Sequence, residues 1–258
     1  VRGLKIGLKM NIELPVEPPG KWVSTAFGAT SRGRCRKTNE DSFLCHSEQG
    51  IWLVADGVGG NAGGKIASQL VCDELPALLL SGTTLRGAIA QIHARVKLAA
   101  QLNGGQLGMA TTVVIARQHE DVMELCWVGD SRAYVYNEHS LKRLTRDHSL
   151  VQRLQDMGLG SLSETCAAVV KNVLTKCVGS LNIDILNAES VSIRLAASEK
   201  LLLCSDGLTN ELKDSEIWHI ISQAVNTETA IEQLLSAANQ RGGKDNITAI
   251  LIDAPRVC

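Results

Sequence analysis

Long apolar runs are missing from this 258-residue chain: the longest candidates are broken by charges or by Pro76, and none reaches the length of a membrane span. Excess charge of either sign is missing too. With 26 Lys and Arg against 27 Asp and Glu, the formal net charge is −1, which gives no electrostatic case for nucleic acid or an anionic membrane as partner. The six His are dispersed and no His/Cys pair has a zinc spacing. Residues 1–22 bear Gly, Pro and Lys without a continuous apolar core, so they do not read as a signal peptide and a flexible leader is expected. The eight cysteines are scattered, most of them inside apolar runs such as 201–204. They read as reduced, buried thiols of a cytoplasmic protein.

What is present is concentrated in residues 51–65, Ile-Trp-Leu-Val-Ala-Asp-Gly-Val-Gly-Gly-Asn-Ala-Gly-Gly-Lys. Five largely apolar residues, short enough for a buried strand, run into Asp56 and then into closely spaced glycines that no regular element tolerates. A carboxylate is thereby held at the mouth of a strand, beside backbone that can approach an ion or phosphate closely. Three chemistries compete for this loop. Residues 59–65 fit the phosphate-loop spacing GxxxxGK, but Ile66 stands where that motif needs Ser or Thr for Mg²⁺. Gly57, Gly59 and Ala62 fit a dinucleotide fingerprint, which requires a βαβ unit, whereas the next segment reads as helix again. The third is a metal site centred on Asp56, which needs other carboxylates in similar settings.

The rest of the chain supplies them. Strands are expected over 24–30 and 42–46, with the basic segment Ser31-Arg32-Gly33-Arg34-Cys35-Arg36-Lys37-Thr38 and then Asn39-Glu40-Asp41 between them. Helical spacing covers 63–80 and 83–103. Residues 111–117, 123–129 and 132–136 read as an antiparallel meander with Gly129-Asp130-Ser131 at one turn, where Asp is also a routine turn former. A short helix at 149–157, glycines and a strand at 173–178 suggest a small flap governing access to a site. Beside it His148 is expected to cap or brace the flap helix. Strands at 191–195 and 200–204 follow, the second ending in Ser205-Asp206-Gly207. Helices at 214–224 and 228–241 lead to Gly242-Gly243-Lys244-Asp245-Asn246 and a last strand at 247–252.

Four times, then, an Asp lies at the edge of an expected strand beside Gly or Asn: Asp41, Asp56, Asp206 and Asp245. Clustered buried carboxylates repel one another unless cations neutralise them. An oxygen-rich site of this kind suits Mg²⁺ or Mn²⁺, which keep several waters and use few protein ligands.

Seven motifs carry a family resemblance: Arg36-Lys37-Thr38-Asn39-Glu40-Asp41, Asp56-Gly57-Val58-Gly59-Gly60, Ala110-Thr111-Thr112, Gly129-Asp130-Ser131-Arg132, Leu144-Thr145-Arg146-Asp147-His148-Ser149, Ser205-Asp206-Gly207-Leu208 and Gly243-Lys244-Asp245-Asn246. In this order, over about 24–253, they resemble the metal-dependent serine/threonine protein phosphatases of the PP2C (PPM) family, particularly compact bacterial members. The resemblance implies an α+β sandwich, two central antiparallel β-sheets flanked by helices, as a single domain over 23–255 with a flap at about 148–187. It implies hydrolysis of phosphoserine and phosphothreonine on proteins, opposing a bacterial Ser/Thr kinase, through a water bridged between two Mn²⁺ or Mg²⁺ ions. Asp56 would bridge the ions, with the Gly57 carbonyl, Asp206 and Asp245 as direct ligands. Asp41, supported by Glu40, would act mainly through water on the metal. Asp130 would join Asp206 at a third, weaker metal site, and Arg36 would hold the substrate phosphate. Members of the eukaryotic type carry His at the position of Val58 as the acid for the leaving oxygen, and bacterial relatives often have an apolar residue there; activity is expected to survive, with water at the third site as the acid. A monomer is the default expectation.

Two rivals share the residues. Cys126 and Arg132 fit the Cys-x5-Arg spacing of thiol phosphatases, although Asp130 lies inside that loop and strand rather than helix follows. A phosphoprotein-binding module without catalysis is the second, and the intact set of carboxylates argues against it.

Overall fold

The computed structural model describes residues 22–59, 63–102, 108–159, 170 and 173–257. Its strands are, in chain order, β1 (Trp22–Val23), β2 (Ala26–Ser31), β3 (Ser42–His46), β4 (Ile51–Ala55), β5 (Gly57–Val58), β6 (Ala110–Thr111), β7 (Val113–His119), β8 (Val122–Val128), β9 (Arg132–Tyr136), β10 (Leu141–Arg143), β11 (Glu189–Arg194), β12 (Lys200–Cys204), β13 (Ile247–Asp253) and β14 (Arg256–Val257). Its helices are α1 (Gly63–Leu80), α2 (Leu85–Leu102), α3 (Leu150–Asp156), α4 (Asp206–Thr209), α5 (Asp214–Gln223) and α6 (Thr227–Arg241).

Two five-stranded sheets form the middle of the molecule, ordered β10-β9-β12-β13-β2 and β11-β8-β7-β4-β3. Every strand pairing within them is antiparallel. Period-two alternation sorts their side chains into layers. Trp52 and Val54 of β4, Leu201 and Leu203 of β12, and Ile250 and Ile252 of β13 meet between the sheets. Their neighbours Ile51, Leu53 and Ala55 turn the other way, onto α1 and α2. Leu202, Cys204, Ala249 and Leu251 pack beneath α5 and α6. Three apolar layers thus separate helices, sheet, sheet and helices, the sandwich expected from the resemblance. Each fully buried Leu or Ile contributes about 1.5–3 kcal/mol, so these layers dominate the stability.

The expected meander is corrected. β7 and β8 form a hairpin, but β9 pairs with β10 and β12 in the opposite sheet. The chain changes sheets at Gly129, whose φ of 107° lies where residues with a side chain are strained. The flap strand expected at 173–178 is reduced to single bridges, Leu174 to Ser149 and Val178 to Thr111. Residues 1–21 of the expected leader, and 160–169 with 171–172 of the expected flap, lie outside the described residues. Among the described residues no helix is long and apolar enough to cross a membrane.

Candidate active site

Strand ends from both sheets meet at one edge of the sandwich, where a cavity of about 270 Å³ opens. Arg36, Glu40, Asp56, Gly57, Asp130, Asp206 and Asp245 all line it, together with Lys37, Thr38, Val58, Leu174 and Asn246. Asp41 lies behind this cleft, 1% exposed. The eight residues singled out in the sequence, drawn from five separate stretches, are therefore brought together.

Hydrogen bonds to backbone and side-chain atoms hold Asp56, Asp41, Asp206 and Glu40 in place. Asp56 leaves the fully buried β4; its N–H donates to Thr112 Oγ1 (3.1 Å), and its carbonyl accepts from Thr112 N–H and Thr111 Oγ1, both at 2.8 Å. Thr112 Oγ1 also bonds Ser131 Oγ at 2.7 Å, tying the Asp56 loop to the turn carrying Asp130. Asp41 Oδ2 accepts from Ser205 Oγ (2.9 Å) and Thr248 Oγ1 (2.6 Å), one hydroxyl at the end of β12 and one in β13. Asp206 opens α4 and accepts from Asn210 Nδ2 at 2.9 Å. Asn246 fastens the basic loop to the start of β13: its Nδ2 donates to the carbonyls of Arg32 and Thr38, both at 2.9 Å, and its Oδ1 accepts from Glu40 N–H at 2.8 Å. Thr112, Ser205, Asn246 and Thr248 were not singled out from sequence. Thr112, Ser205 and Asn246 stood inside quoted motifs without a role of their own, and Thr248 had no signal beyond being a polar residue in a strand.

Electrostatics mark the cleft strongly. Burial, then repulsion from Asp41, Asp206, Asp130 and Asp245, pushes the Asp56 carboxyl well above the usual range. Burial raises Asp41 to about 7 despite its two hydroxyl donors, with Asp206 and Asp245 adding repulsion. Asp130 is pushed up to about 7 by burial and then by Asp206, and Asp206 is raised by burial and Asp245. Arg36, with its side chain 55% exposed, donates to Asp245 Oδ2 at 2.7 Å. That bond is the main cause that holds its guanidinium above its ordinary value.

Two buried oxygens, Asp41 Oδ1 and Asp206 Oδ1, have no hydrogen-bond partner among the described residues. An oxygen left in that state costs about 1–3 kcal/mol, more when charged. All donors are hard oxygens, the chemistry that Mn²⁺ and Mg²⁺ take. Among the described residues no three acidic, His or Cys side chains already stand at ligating geometry. Arg36 holds one oxygen of Asp245. The residues fit divalent cations in donor type and charge.

The family model for protein phosphatase 2C matches residues 30–251. The chain belongs to the protein phosphatase 2C family. It is 34% identical to the serine/threonine phosphatase stp of Listeria monocytogenes over 237 residues, covering 87% of this chain and 93% of that protein. Among solved structures it resembles serine/threonine phosphatase Stp1 from Staphylococcus aureus, with a TM-score of 0.80, 30% identity, and 98% and 99% of the two chains covered. It also resembles the catalytic domain of PstP in complex with two manganese ions, with a TM-score of 0.73, 27% identity, and 90% and 98% covered. This phosphatase is thus a metal-dependent protein serine/threonine phosphatase that uses Mn²⁺ or Mg²⁺, and its substrates are phosphoproteins.

The rivals fail on their own residues. Cys126 is wholly buried in β8, and burial pushes its thiol up to about 12, so it offers no thiolate at neutral pH. Lys65 of the GxxxxGK match donates to the Asp41 carbonyl (3.0 Å) and Ser42 Oγ (3.2 Å), so its ammonium is turned into the fold. The dinucleotide reading needs a parallel βαβ unit, and β4 has antiparallel neighbours on both sides. His148 does not cap α3, which Ser149 does by accepting from Gln152 N–H. It braces the turn before Asp130: Nδ1 accepts from Gly129 N–H at 3.0 Å and Nε2 faces Glu189 Oε1 at 3.0 Å.

Proposed function

We propose that Asp56, Asp206, Asp245 and the Gly57 carbonyl hold two Mn²⁺ or Mg²⁺ ions, that Asp41 and Glu40 support them from behind, and that Asp130 with Asp206 holds a third, weaker ion. The observation that carries this assignment is the pair of buried, unpartnered oxygens on Asp41 and Asp206 in a cleft that concentrates carboxylates. Bound there, the ions supply Lewis-acid chemistry: they activate water at neutral pH and balance charge on the reacting phosphoryl group.

Arg36, now paired with Asp245, would turn its fork to the substrate phosphate once Asp245 served a cation; a planar guanidinium grips phosphate with two parallel hydrogen bonds. Asp41, fixed by Ser205 and Thr248, has a second, unpartnered oxygen to take the proton that the attacking water gives up. The water oxygen bonds to phosphorus, the ester bond to serine or threonine breaks, and the departing oxygen takes a proton. Val58 carries none, and among the described residues no histidine lines the cleft, so solvent held near Asp130 supplies it.

Residues 23–255 act as one catalytic unit, with the flap at about 148–187 bordering the cleft through Leu174. The phosphatase works as a monomer in the cytoplasm, where the buried free thiols Cys72, Cys126 and Cys204 stay reduced. It opposes a Ser/Thr kinase, the reaction class that must make its substrate. The test is phosphate release from a phosphothreonine peptide by metal-stripped protein on adding Mn²⁺ or Mg²⁺. Release that requires the metal supports the reading. No release with either ion, in folded protein, contradicts it.

A further inference from the structure

One lip of the cleft is strongly basic. Arg32, Arg34, Arg36 and Lys37 are exposed on the loop between β2 and β3, and Lys244 is exposed on the loop before β13. The two loops are fixed to each other: Arg34 and Cys35 N–H both donate to the Gly243 carbonyl, at 2.7 and 3.2 Å, and Asn246 holds the carbonyls of Arg32 and Thr38. Arg36 pairs with Asp245, and Arg32 donates to the Lys37 carbonyl at 3.4 Å. Among the described residues Arg32, Arg34, Lys37 and Lys244 have no ion-pair partner. Besides Asp245, which Arg36 holds, Glu211 accepts from Lys244 N–H at 3.2 Å, a backbone contact that leaves the ammonium free.

A chain of net charge −1 therefore collects five cations on one rigid edge of its active site. Like charges held together repel, so the arrangement is stabilised by an anionic partner. The cleft itself is acidic, and only one cation of the lip, Arg36, is needed for the substrate phosphate. Lys37 borders the cleft beside it, and Arg34 lies two residues further back along the loop. An extended peptide advances about 3.3 Å per residue, which brings side chains one to three positions from the phosphoresidue within reach of these long arms.

We infer that this lip selects phosphorylated segments carrying Asp or Glu beside the phosphoserine or phosphothreonine. The inference rests on the phosphatase reading of the cleft. Exposed charge pairs each contribute roughly a two- to fivefold effect, so two or three together give about tenfold.

The experiment compares three phosphothreonine peptides identical except for Glu, Gln or Lys at the flanking positions, with an aryl phosphate as a substrate that has no flank. At about 50 mM salt kcat/KM for the Glu peptide exceeds that for the Lys peptide by about tenfold, through KM, and the ratio falls towards one at about 0.5 M salt. Arg34→Glu and Lys37→Glu each lower the ratio, and Arg34→Glu leaves aryl phosphate turnover unchanged. Equal kcat/KM for the three peptides at low salt, or a ratio that neither variant alters, overturns the inference while leaving the phosphatase intact. Absence of turnover on aryl phosphate and all peptides with Mn²⁺ present contradicts the reading of the cleft, and the inference falls with it.

Discussion

Replacing Asp41 by Asn changes stability in opposite directions with and without metal. Asp41 is 1% exposed, with Oδ1 unpartnered and Asp206 and Asp245 close enough to add repulsion. Its carboxyl is raised to about 7, and burial is the largest cause. A carboxyl raised in the folded state stabilises the fold fully below its unfolded value, near 4, and that contribution is lost as pH rises through about 7. At 1.36 kcal/mol per pH unit the loss is ~4 kcal/mol at most, and about half that once neighbouring carboxyls share protons. Asn escapes it. Its carbonyl still accepts from Ser205 and Thr248, and its amide faces carboxylates where Oδ1 had no donor. In EDTA at pH 8, Asp41→Asn is expected to raise stability by roughly 1–2 kcal/mol, or about 2–8 °C in Tm for a domain of this size. At pH 5, part-way through the window between about 4 and about 7, the gain is smaller, and it vanishes only below about pH 4, where the carboxyl is protonated in both states. With saturating Mn²⁺ the wild type gains more than the variant and overtakes it. Thermal unfolding under the three conditions is the assay. A variant no more stable than wild type at pH 8 without metal would mean that the Asp41 carboxylate is not destabilising there.

Three further substitutions test other supports of the site. Arg36→Lys, which keeps the charge but loses the planar fork, should lower kcat/KM on phosphopeptide about tenfold or more, mainly through KM, with the number of metal ions unchanged; an unaltered KM counts against a phosphate grip. In Gly33→Ala the new methyl meets the Asp245 carbonyl at a φ of 75°, so the fold should lose about 1–3 kcal/mol and Mn²⁺ affinity should fall, as calorimetry would show. His148→Ala leaves the buried Gly129 N–H without its acceptor and should cost about 1–3 kcal/mol in urea unfolding, with weakened turnover through Asp130. Unchanged unfolding would mean that the ring is no brace.

The strands that build the layers were legible because burial on both faces leaves short apolar runs. Residues 51–55 and 200–204 have the bounds read from sequence, and the last strand differs by one residue. The crossing between sheets was not, since β9 has the same alternation whichever sheet receives it and its partner β12 lies more than sixty residues away. Leu141–Arg143 is too short and exposed to carry a pattern. The helical turn of Asp206–Thr209 was hidden by Gly207, a poor helix former that reads as a turn. Site carboxylates announced themselves as Asp beside Gly or Asn at strand ends. Their partners did not: Ser205 and Thr248 reach Asp41 from 164 and 207 residues away, and Arg36 pairs with Asp245 across 209. His148 was read as a helix brace because its true partner, the Gly129 N–H, belongs to a turn made by another stretch.

Whether the carboxylate cleft holds two catalytic ions is decided by Mn²⁺ titration of metal-stripped wild type and Asp206→Asn, with phosphate release followed in the same samples. The wild type is expected to bind at least two ions and the variant fewer, with release vanishing together with the lost ion. Equal ion counts in the two proteins, or full activity in Asp206→Asn, would contradict the two-ion cleft.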